Sequence, residues 1–270
     1  MDEKRRANGT TMSFTEAQLT AWMAAFIWPL IRVGAVVVSA PVFSSRQTPK
    51  IYSIGLTLIL TWVLIPVIPQ PPVVEPLSYQ AFIMVLQQVL IGFAIGFVLQ
   101  MVFAALVFGG QALAYSMGLG FAAMMDPQNG VQVPVVSQFY LILATLLFVT
   151  IDAHLVLIEM LAQSFHTFPV SMDGLSRNSL YDIVGWGSRM FSAGLLMALP
   201  VMAALLLVNL GLGLIGRAAP QLNIFAVGFP FAIIIGFILV WVTLPNVLGN
   251  FQELLEEGFA FAGQLLRIGS

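Results

Sequence analysis

The sequence predicts an all-helical integral membrane protein with about six long apolar, proline-bent helical segments, and three observations carry that prediction. From Pro76 to Met125 the chain runs fifty residues without one Asp, Glu, Lys, Arg or His. Hydrophobic residues make up 59% of the chain and charged residues 8%, where ordinary globular domains are about a quarter charged. Prolines recur inside or beside the apolar runs, at Pro29, Pro41, Pro134, Pro200, Pro230 and Pro245, and each removes a backbone hydrogen bond and bends its helix. In water this composition would leave large bare apolar patches, whereas at the bilayer midplane each charge would cost about 2.5–3.5 kcal/mol.

The elements follow in order. A polar amino-terminal segment, 1–18, carries Lys4-Arg5-Arg6 and then stays polar to Gln18. No apolar signal core follows those charges directly, so no cleavage is expected. Ala21-Trp22 opens the first apolar run, which passes Arg32 and ends near Phe43, long enough to cross a hydrocarbon core of about 30 Å. Further runs lie at Ile51 to Ile68, Ala81 to Phe108, Val133 to Ile151, Ser188 to Gly216 and Leu222 to Leu248. At 1.5 Å per residue the third and fifth runs reach about 42 Å, so they must tilt, bend or extend beyond lipid.

Two connections are long, and they differ in kind. The stretch from Asp152 to Gly187 contains Asp173, Arg177 and Asp182 among Ser and Asn, and reads as a wet connection with room for an interfacial helix. The stretch from Gly109 to Gln132 is apolar and rich in glycine, too apolar for a solvent loop. Each glycine costs about 1 kcal/mol against alanine in a helix interior, which argues against a helix there. Non-helical backbone at membrane depth needs protein around it or a cavity to line, so a re-entrant or pore-lining segment fits.

Individual residues narrow the function. Gly92 and Gly96 form a G-x-x-x-G pair that admits a close helix neighbour. Arg32, inside an apolar run, must snorkel to the interface or meet a cavity or a partner carboxylate. Asp152, His154, Glu159 and His166 offer titratable groups, but their spacing puts them on different helix faces and makes no H-E-x-x-H pattern. An enzyme reading therefore finds no support. With Cys 0 there is no thiolate nucleophile, disulfide or thiolate metal site. A net charge of −2 offers no basic surface for nucleic acid, and no dinucleotide, P-loop or EF-hand pattern is present. Met117, Met124 and Met125 beside Phe121 suit a compliant apolar seal as well as plain packing. The charge rule for orientation nearly ties, with Lys4, Arg5 and Arg6 against Arg46, Lys50 and Arg217.

Five ordered motifs then converge: Trp28-Pro29-Leu30-Ile31-Arg32-Val33, Ala40-Pro41-Val42-Phe43, Met117-Gly118-Leu119 running to Asp126-Pro127, Phe165-His166-Thr167-Phe168-Pro169, and Ala219-Pro220-Gln221-Leu222-Asn223-Ile224-Phe225. Together they resemble the FliR family of bacterial flagellar type III export-gate proteins over nearly the whole chain. That resemblance implies a non-enzymatic, cofactor-free, multi-pass subunit of the inner membrane and flagellar basal body. Its implied partners are FliP, FliQ and FlhB family proteins and unfolded export substrates. It also implies a FliP-like helical part over 19–187 and a FliQ-like helical part over 188–270, wound around a channel. Within the first part, the segment 107–126 is implied to plug that channel. Gly109, Gly110, Gly118 and Gly120 would let the plug bend, and Met117, Phe121, Met124 and Met125 would fill the constriction. Gln111 stands where relatives often carry an acid, so charge is not expected to hold this plug. The turn containing Arg217, Pro220 and Gln221 is implied to be cytoplasmic. The competing class is a stand-alone secondary transporter with a midplane substrate site, for which the internal repeat and buried coupling charges are missing.

Overall fold

The computed structural model describes residues 16–44, 49–75, 78–119, 135–218 and 224–268. Among these residues all regular structure is helical: α1 (Glu16–Ser39), α2 (Lys50–Leu64), α3 (Tyr79–Ser116), α4 (Val135–Thr150), α5 (Ala153–Thr167), α6 (Arg177–Ala218) and α7 (Ile224–Leu265). Each of the six apolar runs falls on a helix, and α5 occupies the first part of the connection expected to be wet. The rest of that connection shortens because α6 begins at Arg177, not near Ser188.

α3 is the axis on which the others are hung. Its 38 residues extend about 57 Å at 1.5 Å per residue. Ser78 starts it by accepting the Ala81 N–H at 3.1 Å, which satisfies one of the unpaired donors of the first turn. α1 runs parallel to its first half, because Gly92 faces Arg32 and Ala35 while Gly96 faces Ser39 and Ala40. The G-x-x-x-G pair is thus a contact surface, and its partner is α1. α4 runs antiparallel to α3, with Ser137 beside Gly110 and Phe148 edge-on to Phe103. α6 rises parallel to the second half of α3, from Gly194 beside Gly109 to Asn209 beside Ser116. α7 returns antiparallel, placing Gly258 against Val102 and Gly236 against Met117.

The glycine-rich connection begins later than the sequence suggests. Instead of leaving the helix at Gly109, the chain stays helical through Ser116. The reason is tertiary: a methyl on Gly109 would lie 2.7 Å from the Gly194 carbonyl oxygen, and one on Gly110 would lie 2.7 Å from the Ser137 Cα. Missing side chains let three backbones close in, and the packing gained outweighs glycine's intrinsic cost.

α4 and α5 are bent 68° at Ile151-Asp152. Asp152 takes a left-handed conformation with φ 57°, one that Asp tolerates better than most residues. Pro29, Pro200, Pro230 and Pro245 all lie inside helices that continue through them. Pro134 lies outside the described residues.

Among the described residues four helices are long and apolar enough to cross a membrane, and the bent α4–α5 pair makes a fifth if it counts as one span. α2, with 15 residues, is shorter. Burial separates these helices by role: 67% of the most apolar window of α3 is covered by the rest of the chain, against 22% in both α6 and α7. α3 thus supplies the centre of the core, and the long α6–α7 hairpin presents most of its apolar surface outward.

Candidate functional site

The end of α3 is where the sequence placed its functional segment. Gly118 stops the helix with φ 83°, a left-handed conformation that glycine adopts without penalty. Two bonds then close the helix end: Gly118 N–H donates to the Tyr115 carbonyl and Leu119 N–H to the Ala114 carbonyl, both at 3.0 Å. This is the Schellman pattern, with glycine at the position that demands it. Immediately before the stop, Met117 is fully buried. Its side chain fills the notch left by Gly236, so that a methyl there would lie 2.6 Å from Met117 Cγ and 2.7 Å from Cε.

Five of the residues expected to form the plug therefore sit on one described helix and its cap. Gly109 and Gly110 are buried helix contacts, where a bend was expected. Gln111 is half-buried in the same helix. Met117 packs inside the subunit, and Gly118 makes the turn. Gly120, Phe121, Met124 and Met125 lie outside the described residues. In the expected cytoplasmic turn, Arg217 is exposed in the last turn of α6, while Pro220 and Gln221 lie outside the described residues.

The second polar centre is Arg32, which does not snorkel. It is fully buried and its guanidinium spends its donors on neutral oxygens. Nε donates to Gln88 Oε1 at 2.8 Å, Nη1 to the Ser164 carbonyl at 2.7 Å and Ser164 Oγ at 3.1 Å, and Nη2 to the Phe168 carbonyl at 2.7 Å. The cation also lies 4.1 Å from the centre of the Phe165 ring, an attraction strengthened by the dry setting. Ser164 and Phe168 carry carbonyls at the carboxy end of α5, where the helix dipole favours positive charge. One guanidinium thus ties α1, α3 and α5 together. Sequence reasoning placed the charge but missed its acceptors. The available signals were Gln88, polar inside the charge-free run, and the Phe165 to Phe168 motif.

The titratable residues of the α4–α5 region remain apart. No three His, Cys, Asp or Glu side chains among the described residues gather to hold a metal ion. An open cavity of about 460 Å³ between the loops after α2 and α5 is lined by Pro, Gln, Met, Phe, Val and Ser side chains, which offer no acid or base. The ion pair between Arg189 of α6 and Glu257 of α7, at 2.6 Å, is exposed.

Residues 23–258 match the family of bacterial export proteins, family 1. The flagellar biosynthetic protein FliR of Escherichia coli K12 is 36% identical, over 94% of this chain and 97% of its own length. The chain belongs to the FliR family. FliR of Pectobacterium carotovorum is 35% identical over 94% of this chain and 97% of its own length, and FliR of Bacillus subtilis 32% identical over 88% and 96%. Membership in the FliR family makes the chain a component of bacterial flagellar biosynthesis and protein export. The apolar helices of this FliR relative are those of a multi-pass membrane protein.

Proposed function

We propose that this chain forms part of the channel through which unfolded substrates leave the cell in the flagellar type III export gate, and that its segment 107–126 contributes the closure. The observation that carries the reading is the helix stop at Gly118. A charge-free helix ends in a glycine-specific cap, and an apolar stretch containing Gly120, Phe121, Met124 and Met125 follows directly. A hydrophobic constriction can gate by excluding water, and unbranched Met side chains let such a seal adapt while a polypeptide passes. Met117, Gly109 and Gly110 act in this reading as the fixed root of the plug, and Gly118 as its bend.

The partners we propose are FliP, FliQ and FlhB family proteins in a hetero-oligomeric gate in the bacterial inner membrane, at the flagellar basal body. The part over 19–187 would be FliP-like and the part over 188–270 FliQ-like, with Arg217, Pro220 and Gln221 in a cytoplasmic turn. The outward-facing apolar surface of α6 and α7 supports a role among protein neighbours. No cofactor enters the proposal.

Replacing Gly118 with Val tests it, because a β-branched residue is strained at φ 83°. Loss of motility together with an altered ion leak across the inner membrane is the expected result. Normal motility with an unchanged leak would remove segment 107–126 from the closure.

A further inference from the structure

We propose that the α6–α7 hairpin is a latch on the end of α3, so that displacement of the hairpin releases the root of the plug. The proposal rests on the channel-closing reading and names the element that controls it. Two separate contacts carry it. The first concerns the carbonyls in the last turn of α3, whose donors must come from the cap or from outside the helix. Leu113 receives the Met117 N–H at 2.9 Å, and Ala114 and Tyr115 receive Leu119 and Gly118, both at 3.0 Å. The fourth, Ser116, is approached from outside the segment, by Asn209 Nδ2 of α6 in a longer, exposed contact at 3.5 Å. The second contact is the seat of Met117. This side chain is fully buried, and the wall behind it is the bare backbone face of Gly236 on α7.

Each arm of the hairpin thus holds one group at the helix stop. The outer face of the hairpin is open beside both contacts: Leu207 and Leu210 lie near Asn209 in sequence, and Phe237 and Ile238 follow Gly236, all exposed. A neighbour pressing on that outer face would move Asn209 and Gly236 together. The Ser116 carbonyl would lose its donor and Met117 its seat, and the last turn of α3 would be left with only its own cap.

The chain has no cysteine, so a single engineered pair reports cleanly. The experiment places Met117→Cys and Gly236→Cys in the full-length chain, expressed in flagellated cells with the native export apparatus. Oxidation should cross-link the pair and abolish motility and substrate secretion, and reductant should restore both. No cross-link, or cross-linked cells that swim and secrete normally, would overturn the latch. A second arm does not depend on the disulfide. Gly236→Val should unseat Met117 and raise the membrane ion leak several-fold, and adding Met117→Ala should return the leak at least halfway to the parental level. A leak unchanged by Gly236→Val, or one not relieved by the second substitution, also counts against the latch. Deleting 119–126 separates the two readings: an unaltered leak there removes the plug itself, whereas a raised leak combined with a harmless cross-link removes the latch alone.

Discussion

Arg32 makes the sharpest energetic prediction, because it is a cation sealed in an apolar bundle and satisfied by neutral oxygens. Replacing it with Met keeps the stem and removes every donor. Hydrogen bonds to a charged group contribute about 1.5–3 kcal/mol each, but the substitution also recovers the several kcal/mol spent on desolvating the guanidinium. Arg32→Met takes the charge away and leaves Gln88 Oε1 and the Phe168 carbonyl without their donor, at about 1–3 kcal/mol for each orphaned group, so a net destabilisation of about 2–4 kcal/mol is expected. Gln88 refines the test. Arginine only donates, so the Gln88 side chain must turn Oε1 toward it, which leaves Gln88 Nε2 buried without a partner. Adding Gln88→Leu to Arg32→Met removes an orphaned amide and should recover about 1–2 kcal/mol, since replacing both partners by apolar groups is nearly neutral. The assay is thermal unfolding of the detergent-purified export complex carrying wild-type, single and double variants. If Arg32→Met lies within about 0.5 kcal/mol of wild type, desolvation has cancelled the bonds and the node holds nothing together. If Gln88→Leu adds its full cost to Arg32→Met, the two side chains are uncoupled and the network reasoning fails.

Other substitutions test the helix contacts. Gly109→Ala puts a methyl 2.7 Å from the Gly194 carbonyl oxygen, and overpacking should destabilise by about 1–3 kcal/mol, read as a lower unfolding temperature of the purified complex. Gly118→Ala should cost about 1–2 kcal/mol for holding a side chain in a left-handed conformation, and the same melt measures it. Arg189→Ala breaks an ion pair whose side chains are 45% and 44% exposed; it should cost at most about 1 kcal/mol and leave motility on soft agar unchanged.

Much of the fold was legible because hydrocarbon burial writes itself as long apolar runs, and all six runs lie on helices. α5 was harder to see. It shares its stretch with Asp152, His154, Glu159 and His166, and Asp173, Arg177 and Asp182 further along the same stretch suggested solvent. Its buried face, Leu157, Met160, Leu161, Ser164 and Phe165, repeats at helical spacing. The start of α6 was obscured in the same way, since Arg177, Asp182 and Arg189 sit on a helix whose apolar window lies further on.

The candidate site was legible at Gly118 and misread at Gly109 and Gly110 for one physical reason. A glycine in sequence reports only that a side chain is intolerable, and two situations make it so. One is a left-handed backbone, which belongs to the residue itself and announces itself through a Met-Gly-Leu stop. The other is a neighbouring backbone, which belongs to a helix more than eighty residues away, as Gly194 does for Gly109. Propensity counts glycine's cost in both cases, but only the second repays it through contact. Arg32 follows the same logic with opposite sign. Its charge was visible, but the four oxygens that make burial tolerable come from Gln88, Ser164 and Phe168, brought together by helices that meet only in the folded chain. If the Arg32 variants and Gly109→Ala destabilise as argued, the residues that look costliest in this membrane chain are those that fix its helix crossings.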